Sequence, residues 1–366
     1  MEPRRTARWR THVKSALAAT ISRSHELGLA EALARGPGRP LILGYHRIVE
    51  DFEATARNEM PSMLTSVEMF ERHLDLVGRH FRFATLDEIG EQLASGEPFS
   101  EPVAAVTFDD GYRDNYEHAF PVLTRKGIPA AVFVVTDLVG RSCWQIHDKL
   151  FHLMRKAFAA WEDPRRELSE LLRALDLPAG HLLRSRSATS SPMTSVSALL
   201  PELSVVNVRR VMAALEATTG NGFHDVALPL TWPMIEEMHR AGIIIGSHTR
   251  HHVSLPAEST EMVVEELEGS KRAIEEHLGV PAVHFAYPGG QFTPRDVEAL
   301  ERAGYRFGYT ACPHQDARHP TLTIERLLLW EGSSVDGDGQ FSPAILHCQV
   351  HDLWPPARTC VRVHHV

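Results

Sequence analysis

No stretch of the chain reaches the roughly 18 consecutive apolar residues that a membrane-spanning helix needs, so no transmembrane span is expected. Cysteine is scarce. Cys143, Cys312, Cys348 and Cys360 stand far apart with no Cys-x-x-Cys pair, which argues against a zinc knuckle or a disulfide framework and suits reduced thiols in a cytoplasmic protein. Positive charge is also short: 38 Lys and Arg against 47 Asp and Glu leave a net charge of −9, and no basic field points to nucleic acid. No repeat of solenoid period is present. The N-terminus begins like a signal peptide, but Lys14, Arg23, His25 and Glu26 interrupt its only candidate apolar run, so no secretion signal is read and a cytoplasmic location is expected. Its apolar positions Val13, Leu17, Ala18, Ile21, Leu27, Leu29 and Leu33 predict one or two helices with an apolar face. Such a segment packs on the domain or, through its basic residues, touches an anionic membrane or an assembly partner.

What is present is ordinary globular composition, 43% hydrophobic and 23% charged over 366 residues, enough for one large domain or two small ones. Apolar strands at Leu41 to Arg47, Val103 to Thr107 and Ala130 to Val135 alternate with helices near Val67 to His80, Thr85 to Leu93 and His118 to Lys126. That rhythm is the signature of a parallel α/β fold. It stops near Gly140. From 141 to about 229 the pattern is helical, with a Ser-rich stretch at Arg184 to Ser197 expected to be a loop. Thr231 and Pro233 then open a helix, and strands at Ile243 to Ile245, Val283 to Ala286, Tyr305 to Thr310 and Leu322 to Leu329 resume the alternation. The expected division is an N-terminal helical segment (1–38), an α/β domain (39–335) carrying the helical insertion (141–229), and a C-terminal helix and tail (336–366).

The chain is organised around VTFDDGYRDNY, Val106 to Tyr116. Adjacent side chains on a strand point to opposite faces, so Asp109 and Asp110 can serve one site only if the backbone bends, which Gly111 permits. Asp-Asp-Gly is also an ordinary turn. A second cluster, SHTRHH, follows the Ile243 strand; His248 and His252 are four apart, so one helical turn would put both imidazoles on one side, while His251 offers a spacing of three. With Asp110, two imidazoles and a carboxylate make an open ligand set of the kind catalytic metals use, and Asp109 would stand by as a base.

These motifs, with FAYPGG at Phe285 to Gly290, resemble those of the polysaccharide deacetylases, the NodB homology domain or carbohydrate esterase family 4, in the family's order and over roughly Leu41 to Leu329. The resemblance implies a distorted, incomplete (β/α) barrel with the site at the carboxyl ends of the strands. It implies Asp109 as catalytic base, Asp110, His248 and His252 as ligands of a divalent metal (zinc, or cobalt, nickel or ferrous iron), and Tyr112, Tyr287, Pro288 and Gly289 as substrate-binding residues. The activity implied is removal of N-acetyl groups from N-acetylglucosamine-type units of a polysaccharide, oligosaccharide or glycan precursor. Two departures stand out. Ala286 replaces the Arg that steadies the catalytic Asp in many members, and Arg326 is the candidate substitute. The family's late Leu-x-His acid has only Ile345-Leu346-His347 as a counterpart, in an expected terminal helix; Tyr45-His46 matches instead the exopolysaccharide deacetylase branch, which makes His46 the expected general acid. An O-acetyl esterase, a small-amide hydrolase and a catalytically silent glycan-binding protein of an assembly complex are the alternatives. Trp144, Trp161 and Trp232, near the borders of the insertion, are expected to pack rather than stack on sugars.

Overall fold

The computed structural model describes residues 3–26, 39–177, 189–220 and 227–353. Its strands are β1 (Leu41–Tyr45), β2 (Arg47–Val49), β3 (Leu64–Ser66), β4 (Arg82–Phe83), β5 (Val103–Phe108), β6 (Ala130–Val134), β7 (Ile244–Ser247), β8 (His284–Ala286), β9 (Phe307–Thr310), β10 (Ile324–Glu325) and β11 (Leu327–Leu328). The helices are α1 (Pro3–Glu26), α2 (Phe52–Ala56), α3 (Val67–Val77), α4 (Leu86–Ser95), α5 (Phe120–Lys126), α6 (Ile146–Ala160), α7 (Pro164–Ala174), α8 (Pro192–Leu199), α9 (Val205–Thr219), α10 (Trp232–Arg240), α11 (Thr260–Leu278), α12 (Pro294–Arg302) and α13 (Pro343–Val350).

Among the described residues the main sheet runs β10-β9-β8-β7-β6-β5-β1-β11, all parallel, with β4 beside β5. Every residue of β1, β5 and β6 is buried, as continuous apolar strands covered on both faces must be. The two ends of the path lie one residue apart in sequence. Glu325 pairs with β9 and Leu327 with β1, so the chain crosses the seam of a nearly closed barrel at Arg326. That crossing carries Arg326 to the barrel's centre, where it is 2% exposed.

Tight positions along the strands are filled by glycine. A Cβ at Gly246 would lie 2.6 Å from the Phe133 ring and 3.0 Å from the His284 carbonyl. Gly246→Ala is therefore expected to cost about 1–3 kcal/mol through overpacking, read as a lower urea midpoint with an unchanged slope.

Between β6 and β7 the helices α6 to α9 build a core of their own from Leu150, Leu153, Met154, Leu168, Val211 and Leu215. The Ser-rich stretch corrects one expectation. Ser191 caps α8 with a reciprocal Thr194 bond and Pro192 occupies its first turn, so end signals outweighed serine's preference for loops; residues 178–188 lie outside the described residues. At the N-terminus, α1 packs Ala18 and Ile21 on Ile345 and Cys348 of α13. The expected helical positions Leu27, Leu29 and Leu33, and the tail after Leu353, lie outside the described residues. Among those described, no helix is long and apolar enough to cross a membrane.

Candidate active site

Asp109 still belongs to the sheet, its N–H donating to the Tyr45 carbonyl at 2.9 Å. The bend assigned to Gly111 starts one residue earlier, because Asp110 is itself left-handed at φ 68°, followed by Gly111 at φ 66°. Asp tolerates that region better than most residues. The turn is held by Leu230, whose N–H donates to the Gly111 carbonyl, and by Gln145, whose Nε2 donates to the Asp110 carbonyl at 2.7 Å. Both carboxylates consequently line one cavity.

Asp109 is clamped by Arg326 through two parallel hydrogen bonds of 2.7 Å each. Burial alone would raise the Asp109 pKa; the Arg326 guanidinium, with smaller contributions from the His248 and His46 imidazoles, outweighs burial and holds the carboxyl below its usual range. Arg326, the expected partner of Asp109, is thus brought against it by the seam crossing.

Asp110 is 1% exposed, and neither of its oxygens has a donor in hydrogen-bonding geometry among the described residues. Three imidazoles face it: His252 Nε2 at 3.2 Å and His248 Nε2 at 3.6 Å from Oδ1, and His147 Nε2 at 3.6 Å from Oδ2. A buried carboxylate left in this state costs several kcal/mol, and a cation among these groups would remove the cost. The residues fit a divalent ion.

Distance alone groups Asp110, His147 and His252; hydrogen bonding favours His248 over His147. His248 Nδ1 stands 2.8 Å from the Ala286 carbonyl, which can only accept, so Nε2 keeps its lone pair towards Asp110. Nε2 of His147 instead meets the Tyr112 hydroxyl at 2.7 Å, and that hydroxyl donates to Asp148, so His147 Nε2 carries the proton. His147 came from the start of α6, where no motif marks it, and sequence reasoning missed it.

His248 and His252 do not sit on a helix. Thr249 and His252 are left-handed, at φ 66° and 56°, and the intervening loop is gathered by Glu266, a buried α11 carboxylate that accepts from the Arg250 and His251 backbone N–H groups at 2.8 and 3.0 Å. His251 turns away to Glu266 and Asp137, which removes the spacing of three.

His46, leaving β1, lines the same cavity with Pro288 and Gly289. Tyr112 and Tyr287, expected to touch substrate, do not line it. Tyr112 lies beneath His147, and Tyr287 packs on Phe285 and Phe292 while its hydroxyl donates to the Leu322 carbonyl. Both are buried, the Tyr112 hydroxyl bonded to His147 and Asp148 and the Tyr287 ring held between Phe285 and Phe292. Trp144, Trp161 and Trp232 pack on His152, Phe158 and His277. The cavity, about 240 Å³, has an apolar wall that includes Met60, Met63, Met193, Val196, Leu200 and Val208, mostly from α8, α9 and their connection.

Burial lowers the pKa of His147 to about 3 and of His248 to about 4, from 6.5. Both stay neutral in the folded protein while the unfolded chain takes up protons below pH 6.5. The metal-free protein should therefore lose stability as pH falls from about 6.5 towards 4, and His147→Phe should flatten that slope in thermal melts. An equally steep slope in the variant would contradict the assignment.

Asp109, Asp110 and the histidines near the carboxyl ends of β1, β5 and β7 define the class: a parallel barrel with a cavity lined by paired carboxylates and imidazoles. A family model described as polysaccharide deacetylase matches residues 96–308, and the chain belongs to that family of deacetylase enzymes. YxkH of Bacillus subtilis (strain 168) is 22% identical over 307 residues, covering 83% of this chain and 76% of that protein. Among solved structures, IcaB from Ammonifex degensii is 20% identical with a TM-score of 0.53, covering 87% of this chain and 98% of that one. The Streptococcus pyogenes deacetylase PplD, solved with acetate, is 19% identical with a TM-score of 0.52, covering 83% and 96%. Both share the fold.

Proposed function

We propose that this deacetylase hydrolyses the N-acetyl group of N-acetylglucosamine-type units in a glycan and depends on a divalent metal, zinc being the simplest fit to one carboxylate and two imidazoles. The observation that carries the reading is Asp110, a buried carboxylate facing imidazoles beside an Asp109 kept ionised by Arg326. Asp110, His248 and His252 would hold the ion, which when bound supplies Lewis-acid polarisation and a more acidic water. Asp109 takes the proton of the attacking water. His46 donates a proton to the departing nitrogen, which leaves as an amine rather than an amide anion. The Gly289 N–H, at the cavity wall, is assigned to the developing oxyanion.

The apolar wall favours one substrate class over another. Methionine, valine and leucine side chains gain nothing from bare sugar hydroxyls, but they bury an apolar group attached to the sugar. A glycan precursor bearing an apolar aglycone fits this wall better than the interior of a bare polymer. Octyl N-acetylglucosaminide should therefore show a KM about tenfold below that of the methyl glycoside, an effect of about 1.4 kcal/mol, and Met193→Ser should erase the difference. Equal KM values for the two glycosides would rule out the apolar-aglycone reading.

A further inference from the structure

Far from the cavity in the fold, four histidines converge where α1, the end of α3 and α13 meet. His25 lies in the last turn of α1, His80 in the turn after α3, and His347 and His351 one helical turn apart at the end of α13. The His25–His351, His347–His351 and His25–His347 ring centroids are 4.7, 4.4 and 5.2 Å apart, and His80 lies 5.0 and 5.2 Å from His347 and His351. His25 Nδ1 is 3.1 Å from His347 Nε2, and the ligand atoms of His25, His347 and His351 all lie within 4.8 Å of one another.

We propose that His25, His347 and His351 form a second metal site, structural in character, which binds a zinc-like divalent transition-metal ion and staples α1 to α13, with the His80 ring packed beside it. Imidazole nitrogens around tetrahedral zinc stand roughly 3.3 Å apart, given bonds of about 2.0–2.1 Å, and the 3.1 Å approach of His25 to His347 is already close to that spacing. The pair His347 and His351 has the i, i+4 separation on a helix that presents two imidazoles to one ion. Borderline nitrogen donors select zinc, nickel or copper over calcium or magnesium. His347 lines no part of the cavity, so the site is separate from the catalytic one. Its role is to fix the N-terminal helix, which among the described residues packs Ala18 and Ile21 on Ala344, Ile345, Cys348 and Leu353.

The test uses untagged full-length protein carrying Asp110→Asn and His252→Ala, which removes the catalytic candidate site from the count whichever way that site is read. After metal stripping and return of zinc, elemental analysis should find about one zinc per chain, and zinc should raise the melting temperature. Adding His351→Ala, or separately His25→Ala, should abolish both the bound zinc and the zinc-dependent shift, with far-UV circular dichroism of the metal-free variants unchanged. Absence of zinc from the double variant, or retention of zinc by both added substitutions, would overturn the proposal.

Discussion

Asp109→Asn is expected to lower kcat for acetate release by about 10²–10⁴-fold, the range that a positioned general base supplies, while metal content stays that of the parent. The amide cannot accept the water's proton, yet it leaves the Asp110 cluster in place. Because Arg326 would then be a buried cation without its anion, the same variant should lose about 3–5 kcal/mol of stability, so rates belong to the folded fraction measured by urea titration. Arg326→Met separates positioning from proton transfer. Asp109 is held below the usual carboxylate range because the guanidinium, together with the neighbouring imidazoles, outweighs burial. With the guanidinium gone, burial raises the Asp109 pKa. Activity that requires ionised Asp109 is present above that pKa and lost as pH falls through it, so the acid limb of kcat/KM should climb towards neutrality in Arg326→Met. An unmoved acid limb would show that another group is the base.

The second large effect is expected at Asp110. Asp110→Asn removes the only carboxylate from the proposed ligand set, and metal affinity should fall by about 100-fold or more, beyond the 10–100-fold typical of outer-shell partners. Metal-restored hydrolysis should disappear with it. His147→Gln, by contrast, touches a residue whose Nε2 proton is committed to the Tyr112 hydroxyl, and should lower affinity by only about 10-fold. If His147→Gln proved as damaging as Asp110→Asn, and His248→Gln benign, the ligand set would be Asp110, His147 and His252 instead.

How far the site could be read from the sequence depended on whether its geometry is local. TFDDG ends a strand whose apolar run is continuous, so the placement of Asp109 and Asp110 followed from burial and a glycine. The left-handed start at Asp110 did not, because Asp in that conformation has no sequence mark of its own. SHTRHH offered two candidate ligands, but their approach depends on Glu266 drawing in the loop from eighteen residues beyond His248; spacing alone suggested a helix. Arg326 was reachable only as a vacancy filled from elsewhere, since its position arises from the chain crossing the barrel seam. His147 and Gln145 had no comparable signal: they belong to helices that read as an insertion, and only the tertiary fold returns the first turn of α6 to the Asp110 turn. The cluster of His25, His80, His347 and His351 was hidden for the same reason, being four separate histidines in a chain that has 22.

The most direct measurement is acetate release from N-acetylglucosamine oligomers and from the octyl glycoside, using protein stripped of metal and then restored with zinc, cobalt or nickel. Release that vanishes on stripping, returns with metal, and is absent from Asp110→Asn at every metal concentration is the expected result. Release that persists in stripped protein, or silence with every metal despite saccharide binding, would contradict a metal-dependent N-deacetylase built on Asp109 and Asp110.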